Sequence, residues 1–158
     1  MGPPGPRGFP GIPGPPGLSG LSAFGGRYND SEQTIIIPAE GEEVIELPET
    51  LPSLNAIYGT DNIIINRPGI YRVEFMVMLG ASTGTVGAQI YVRLNGVAIP
   101  SSVLEVSLTT SFQNLNLSTF VLLAPGNILD LAISSTAGGT VVFGPSVNAN
   151  LSVMKISV

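Results

Sequence analysis

The chain has 158 residues, which is the length of one ordinary domain with a short remainder. Charged residues make up only 11% of it, less than half of the roughly 25% usual in soluble domains, while 44% is hydrophobic. The absence of cysteine and histidine excludes a thiolate nucleophile, disulfides, metal sites built from those residues and a Ser-His-Asp triad. A net charge of -5 with six scattered basic residues argues against nucleic acid or anionic membrane partners. A structural protein, a binding module or a carboxylate enzyme remains.

Neither end contains a readable targeting signal. Met1 directly precedes the first glycine, as in a trimmed sequence, and the start lacks the basic and apolar regions of a signal peptide. The uncharged stretch between Asp130 and Lys155 is interrupted throughout by Ser, Thr, Asn and Gly, so we do not expect it to cross a bilayer as a helix. We therefore expect a soluble chain with no membrane partner.

Residues 1–20 form an array of Gly-X-Y triplets. Seven prolines in this array hold the chain extended before assembly. In a collagen triple helix, three polyproline-II chains meet at an axis with room only for a hydrogen atom, so every third residue must be glycine. A flexible Pro/Gly-rich linker is the alternative, but the strict phase favours the triple helix. The glycines expected at the axis are Gly2, Gly5, Gly8, Gly11, Gly14, Gly17 and Gly20.

A collagen segment predicts the number of chains. A triple helix needs three strands, so the protein is expected to be a homotrimer. Six triplets extend only about 60 Å at a rise of about 3.1 Å per residue, and so short a rod is not expected to hold together alone. A neighbouring domain that trimerises by itself would raise the local concentration of the strands and set their register. Residues 21–158 are the natural candidate for this trimerisation head.

After residue 20 the period changes from three to two, which predicts antiparallel β-structure. Turn signals such as Asn95-Gly96 separate the predicted strands, and no window has a helical period. Many short strands without helices indicate a sandwich, jelly roll or barrel. The ten predicted strands are Thr34–Ile37, Glu43–Leu47, Asn62–Ile65, Tyr71–Leu79, Ala88–Leu94, Val97–Pro100, Asn114–Leu123, Asn127–Ser134, Thr140–Phe143 and Asn148–Val158.

Several predicted strands are apolar on both faces. A strand with one face in water would have polar residues at alternate positions, so both faces of these strands are expected to be covered. One interpretation is that loops cap the second face within one chain. The preferred interpretation is that this face packs against neighbouring subunits around a threefold axis. The residues predicted for that interface are Phe24, Tyr71, Phe75, Met76, Met78, Phe120, Leu122, Met154 and Ile156.

Four segments resemble the complement and tumour-necrosis-factor jelly-roll superfamily. They are Leu21–Phe24 after the triplets, Gly69–Phe75 with its Gly-x-Tyr-x-aromatic-like pattern, Leu94–Gly96 at a strand end and Leu122–Leu131 as the penultimate hairpin. The absence of Trp and Cys, the small residues and the Thr/Ser-rich strands are most similar to the collagen-like exosporium glycoproteins of Bacillus, the BclA family. A phage tail-fibre tip or another bacterial surface collagen would look similar.

The resemblance implies a ten-stranded antiparallel jelly-roll sandwich that trimerises behind a collagen stalk on a spore exosporium or another extracellular surface. Members of that family usually carry Thr in the triplets for O-glycosylation. These triplets contain no Thr, so we do not expect this rod to be glycosylated in the same way.

Glu40, Glu42 and Glu43 lie in the densest run of charge, and carboxylate oxygens are ligands that Ca²⁺ prefers. Some members of the superfamily that the chain resembles hold calcium near the top of the trimer. The run lacks the spacing of an EF-hand loop, and acidic runs commonly serve as solvated strand edges. Calcium is therefore the weaker interpretation, and we predict no cofactor.

Two further groups of polar residues are candidates for a function. Asp61, Glu74, Glu105 and Asp130 are the carboxylates available to a hydrolase, but they stand singly among the strands, so we predict no enzyme. Arg72 and Glu74 share one strand face, as do Tyr91 and Arg93, and an ion pair there would fix the subunit register. A solvated rim charge is the alternative for both.

The sequence thus predicts a structural homotrimer whose head nucleates and registers a collagen stalk at a spore or cell surface. The alternative is an adhesive or ligand-binding head. In that case we expect the loops at Ala81–Gly87 and Ser135–Gly139 to recognise a glycan or host-surface target.

Overall fold

The computed structural model describes residues 1–15 and 22–157. Residues 1–15 form neither helix nor strand and are exposed along their whole length. Gly17 and Gly20 of the predicted triple helix lie outside the described residues, as does the predicted domain boundary after residue 20. Among the described residues, no helix has the length and apolar character needed to span a membrane.

Residues 22–157 fold into β-strands joined by turns, with one short 3-10 helix at Pro100–Ser102. The strands are β1 (Phe24–Asn29), β2 (Thr34–Ile37), β3 (Gly41–Val44), β4 (Glu49–Thr50), β5 (Ala56–Tyr58), β6 (Ile63–Ile65), β7 (Gly69–Ala81), β8 (Val86–Leu94), β9 (Val97–Ala98), β10 (Leu104–Leu108), β11 (Gln113–Leu123), β12 (Ile128–Ser135), β13 (Gly139–Phe143) and β14 (Ala149–Lys155).

The ten predicted strands all have counterparts, but the structure has four more, so the strand count of ten was wrong. The additional strands are β1, β4, β5 and β10. Two glycines interrupt the pattern of β1, and β4 and β5 are too short to show a period. The predicted strand at Glu43–Leu47 is β3, which ends at Val44, although Ile45 and Leu47 beyond it are fully buried.

The strands form two antiparallel sheets of seven strands each. Sheet 1 has the order β2-β13-β7-β14-β1-β4, with β11 paired to β7. Sheet 2 has the order β10-β8-β12-β6-β5, with β3 paired to β12 and β9 to β8. The two sheets pack face to face as an antiparallel jelly-roll sandwich, so the predicted fold class is confirmed.

The core lies between the sheets and is built by simple alternation. On β7, every second side chain from Tyr71 to Leu79 points inward and is at most 2% exposed. Ile90 and Val92 of β8 face them from sheet 2, together with Leu129, Leu131 and Ile133 of β12.

Tyr71 and Phe75 were predicted to lie at the subunit interface, and that prediction was wrong. Both are members of the core cluster, with 1% and 2% exposure in a single chain. They share the inward face of β7, so no neighbouring subunit can reach them. The residues of β7 available to a partner are the intervening ones.

A buried arginine of β1 binds the segment between β3 and β4 and the residue that follows β5. The Arg27 side chain, only 6% exposed, donates from Nε to the Leu47 carbonyl at 2.7 Å and from Nη1 to the Gly59 carbonyl at 2.5 Å. Its Nη2 donates to the Pro48 carbonyl at 3.1 Å, and the guanidinium lies 5.6 Å from the centre of the Tyr58 ring. The planar guanidinium suits this role because it carries several donors in a fixed fork.

We expect Arg27→Met to lower the free energy of unfolding by about 3 kcal/mol, because three carbonyls would lose their donor inside the protein. Urea denaturation followed by circular dichroism measures the change. Arg67→Met, at an exposed arginine, is the control and should change stability by less than about 0.5 kcal/mol. Equal losses in the two variants would contradict the assigned role of Arg27.

Candidate functional site

The outer face of sheet 1 is the side of β1, β14, β7 and β11 that points away from the core. Register aligns its side chains in rows across the strands. One row runs from Phe24 through Met154 and Arg72 to Phe120. The next contains Ser152, Glu74 and Ser118, and the one after that Tyr28, Asn150, Met76 and Asn116.

This face changes character along the strands. Large apolar side chains are exposed at the end of the sheet at which β1 begins. Phe120 is 65% exposed and Leu122 75%, and Ile70, Met154 and Ile156 are also exposed. Toward the opposite end, the half-buried Met76 and Met78 alternate with asparagines at 114, 116 and 150. The exposed apolar surface is therefore concentrated at the end where the triplet segment joins the head.

Seven of the nine predicted interface residues lie on or beside the outer face of sheet 1. They are Phe24, Met76, Met78, Phe120, Leu122, Met154 and Ile156, the last of which follows β14 and donates its amide to the Ile70 carbonyl at 2.9 Å. Ile70 itself was missed, although its position beside Tyr71 on a strand with two apolar faces was a usable signal. Contact of these residues with a neighbouring subunit stays a prediction.

An apolar groove of about 350 Å³ opens on the same face between β14, β1 and the loop at residues 51–54. The loop is held to β1 by main-chain hydrogen bonds, from the Leu51 amide to the Gly26 carbonyl and in both directions between Leu54 and Phe24, all at 2.9 Å. The residues that line the groove are Phe24, Gly25, Leu51, Pro52, Arg72, Glu74, Ser152, Val153 and Met154. No local pattern revealed the groove, because its wall folds back from a distant part of the chain.

Arg72 and Glu74 form a polar ridge along one side of the groove and belong to its lining. Their side chains make an ion pair of 2.9 Å, and each is about half exposed. Arg72 Nε donates to Ser118 Oγ at 3.0 Å, and Ser152 Oγ donates to Glu74 at 3.4 Å. An exposed pair of this kind contributes little to the stability of one chain. It does mark the boundary between the groove and Phe120.

Sheet 2 carries a different network on its outer face. Arg93 binds both carboxylate oxygens of Asp130, at 2.7 and 2.6 Å, and donates to Glu42 at 2.5 Å. The Tyr91 hydroxyl donates to the other oxygen of Glu42. Three strands, β3, β8 and β12, are thereby joined. The sequence placed Tyr91 and Arg93 on one face, but the ion-pair partners Asp130 and Glu42 required knowledge of strand register.

The network shifts the pKa of both groups that donate into it. Hydrogen bonding to Asp130, and then to Glu42, raises the pKa of the Arg93 guanidinium despite its partial burial. Burial, followed by the hydrogen bond to Glu42, raises the pKa of the Tyr91 hydroxyl. Both groups keep their protons at neutral pH, so the network holds a cation between two carboxylates.

In the described part of the chain, the acidic residues of the dense run do not converge on one point. Glu42 and Glu43 are consecutive on β3 and point to opposite faces, and Glu42 is engaged by Arg93. Within residues 1–15 and 22–157, no group of three or more Asp or Glu side chains converges as a metal site would require. The calcium interpretation of Glu40, Glu42 and Glu43 therefore has no geometric support.

The four carboxylates considered for hydrolysis are also dispersed. Asp61 accepts the Leu47 amide at 2.7 Å, while Glu74 lies on the outer face of sheet 1. On sheet 2, Asp130 is paired with Arg93, and Glu105 accepts a hydrogen bond from Gln89 at 2.7 Å. Each has a different partner, and none of these contacts joins two of the four.

A polar groove of about 560 Å³ lies on the outer face of sheet 2. Register places Glu42, Ser134, Gln89 and Glu105 in one row across four strands. Gly87 of β8 contributes no side chain to the groove, and the carboxylates Glu42 and Glu105 lie at the two ends of the row. The full lining is Glu40, Gly41, Glu42, Gly87, Ala88, Gln89, Tyr91, Glu105, Val106, Ser134, Ser135 and Thr136.

We expect Asp130→Asn to lower the free energy of unfolding by about 2 kcal/mol, because Arg93 loses a charged, two-point partner in a mostly buried position. Glu105→Gln is the matched control, since its carboxylate has no arginine partner and lies on the exposed rim. Its effect should be below about 0.5 kcal/mol. Urea denaturation of both variants measures the difference, and similar values for the two would contradict the importance of the Arg93 network.

Comparison with solved structures identifies the fold. Murine APRIL, crystallised at pH 8.0, has a TM-score of 0.58 at 12% identity, with 85% of this chain and 98% of that chain covered. Eiger TNF from S. frugiperda has a TM-score of 0.56 at 10% identity, covering 87% and 92%. The PRD1 vertex protein P5 has a TM-score of 0.53 at 13% identity, covering 88% and 100%. At these identities the likeness establishes the TNF-like jelly-roll fold alone.

No curated protein matches the sequence. A family model does, and it is described as the BclA C-terminal domain. The match covers residues 25–157, which is nearly the whole of the β-sandwich and excludes the triplets. The chain therefore belongs to the BclA C-terminal domain family.

Proposed function

We propose that the β-sandwich is a homotrimerisation head that nucleates and registers a collagen-like stalk. The observation that carries the proposal is the cluster of exposed apolar side chains on the outer face of sheet 1. Phe120 and Leu122 are 65% and 75% exposed in a single chain and lie at the end of the sheet where β1 begins. Contiguous apolar surface of this kind marks an interaction site.

Association buries this surface and supplies the driving force. Removal of apolar area from water is worth about 25 cal/mol per Å², before the cost of ordering the partners. Three copies that meet through sheet 1 hold their triplet segments together at high local concentration, which favours winding of so short a rod. The triplets themselves demand three chains.

The start of β1, close after the triplets in the sequence, is held on both sides. Phe24, the first residue of β1, has Met154 of β14 opposite it on one side. On the other side it exchanges two hydrogen bonds of 2.9 Å with Leu54. In this proposal the anchored β1 gives each chain the same starting point after the triplets, so that symmetric association of heads brings the three strands into register.

Membership of the BclA C-terminal domain family supports a location on a bacterial spore surface, the exosporium. In this proposal the rod projects the head away from that surface, and the partner of each chain is two further copies of itself. The role is structural, with no catalytic step.

Light scattering on a chain that lacks residues 1–20 tests the proposal. We expect three times the mass of one chain, because the contact surface lies entirely on the sandwich. The full-length chain should give the same stoichiometry, together with the circular-dichroism signal of a polyproline-II triple helix. A monomeric head at micromolar concentration would contradict the proposal.

A second candidate function is ligand binding, and the polar groove on sheet 2 favours it. The loops predicted to recognise a glycan or host surface, at Ala81–Gly87 and Ser135–Gly139, border the groove through Gly87, Ser135 and Thr136. Gln89 and Ser134 offer hydrogen-bonding groups at its centre, and the groove faces away from the proposed trimer contact. Few polar groups in a concave site are typical of small-ligand recognition.

Gln89→Trp would fill this groove and tests the second function. A glycan array probed with the head should show saturable binding that Gln89→Trp removes at least about tenfold. Val97→Trp, at a residue 70% exposed outside the groove, is the control and should bind as the unmodified head does. Absence of saturable binding, or binding unchanged by Gln89→Trp, would contradict recognition at this groove.

A further inference from the structure

The groove and the exposed Phe120 lie on opposite sides of the same sheet face. The groove is built from β1, β14 and the loop at residues 51–54, whereas Phe120 belongs to β11. In the described part of the chain, β11 pairs with β7 alone, so Phe120 stands at a sheet edge. One face of the molecule thus carries both an exposed apolar side chain, Phe120, and an apolar groove.

Phe120 cannot fill the groove of its own chain. In the row across the sheet, Met154 and Arg72 separate it from Phe24. Three inter-strand steps of about 4.8 Å place its backbone about 14 Å from that of Phe24. The Arg72–Glu74 ridge also stands between them, tied to Ser118 and Ser152. A side chain that fills the groove, if it is Phe120, has to come from another copy of the chain.

We infer that Phe120 of one copy inserts into the groove of the next copy, between Leu51 and Met154, so that the subunit contact is heterologous and closes as a ring. This inference rests on the proposed trimer. The chemistry matches, because the exposed Phe120 and Leu122 are apolar and the groove is walled by Phe24, Leu51, Pro52, Val153 and Met154.

The common row explains why such a contact closes. A head-to-tail contact generates a ring if the operation is a pure rotation and an open filament if it includes a translation. Phe24 at the groove and Phe120 stand at the same height along the strands, in one register row. Insertion of Phe120 into the groove of the next copy therefore requires no shift of one copy relative to the other along the strand direction. Because a triple helix needs three strands, the glycine triplets then limit the ring to three copies.

Cysteine crosslinking tests the contact directly, because the chain contains no natural cysteine. Ser118→Cys places a thiol beside Phe120 and leaves that ring intact, and Leu51→Cys places one on the groove wall. The two full-length variants, carrying different tags, are refolded together and treated with a short bismaleimide. We expect a covalent heterodimer from the mixture and no covalent dimer from either variant alone.

Val97→Cys, on sheet 2, replaces Leu51→Cys as the matched control and should give no crosslink with Ser118→Cys. A covalent dimer of Ser118→Cys alone would show that two β11 edges meet, which overturns the heterologous contact. If light scattering shows a trimer but the mixture gives no heterodimer, the inference is wrong while the proposed function stands. If the unmodified chain is a monomer, the proposed function itself fails.

Phe120→Ala provides a second readout on the full-length chain. It should raise the concentration at which the trimer dissociates by at least about tenfold, since the ring is buried in every contact of the assembly. Phe112→Ala removes a ring that is 51% exposed in the loop before β11, at the opposite end of that strand. Its dissociation should be unchanged. Equal effects of the two substitutions would overturn the assignment of Phe120.

Discussion

The two faces of β7 constrain the rest of the structure. This strand pairs with β11 along one edge and with β14 and β13 along the other, so it is the centre of sheet 1. Its inward residues, from Tyr71 to Leu79, fill the core, and its outward ones form the middle of the exposed face. Because side chains alternate strictly along a strand, a slip of one residue would exchange these two sets. Core packing therefore also determines what the outer face displays.

The outer face is graded, and the gradient has a physical rationale. Exposed apolar residues such as Leu122 and Ile156 lie where the triplets join, and asparagines occupy the far end. Burial of the apolar end would contribute most of the association energy of the proposed trimer at the base of the stalk. Polar amides and the Arg72–Glu74 ridge keep the remaining face hydrated in a free chain. Such polar groups also oppose wrong pairings, because they would lose water without finding partners.

Sequence patterns predicted the fold class and most of the strands, since alternation and turn residues are local properties. Of the nine residues predicted for the interface, seven lie on or beside the outer face of sheet 1. The sequence patterns assigned Tyr71 and Phe75 to the wrong side, because a strand with two apolar faces does not reveal which face is inward. Only the packing of sheet 2 against Tyr71 and Phe75 decides that question.

The features that sequence could not predict all depend on contacts between distant segments. Arg93 meets Asp130, 37 residues away, and Glu42, 51 residues away, through strand register. Arg27 binds the carbonyls of residues 47 and 48, before β4, and of residue 59, after β5. The wall of the apolar groove at residues 51–54 lies between these segments and has no regular pattern either. Turn residues and periodicity carry no information on which distant loop folds over a sheet edge.

The distribution of charge orients the head in the proposed trimer. The chain has a net charge of -5, and acidic side chains such as Glu42, Glu105 and Asp130 lie on sheet 2. On the outer face of sheet 1, Glu74 is paired with Arg72, and the exposed Glu49 lies opposite Tyr28 on β4 at the edge of the sheet. Like charges brought together across sheet 2 would repel, whereas contact through the apolar end of sheet 1 meets only the paired Glu74 and leaves Glu49 at the edge. Electrostatics and apolar burial thus favour the same arrangement, with sheet 1 toward the threefold axis and sheet 2 toward solvent.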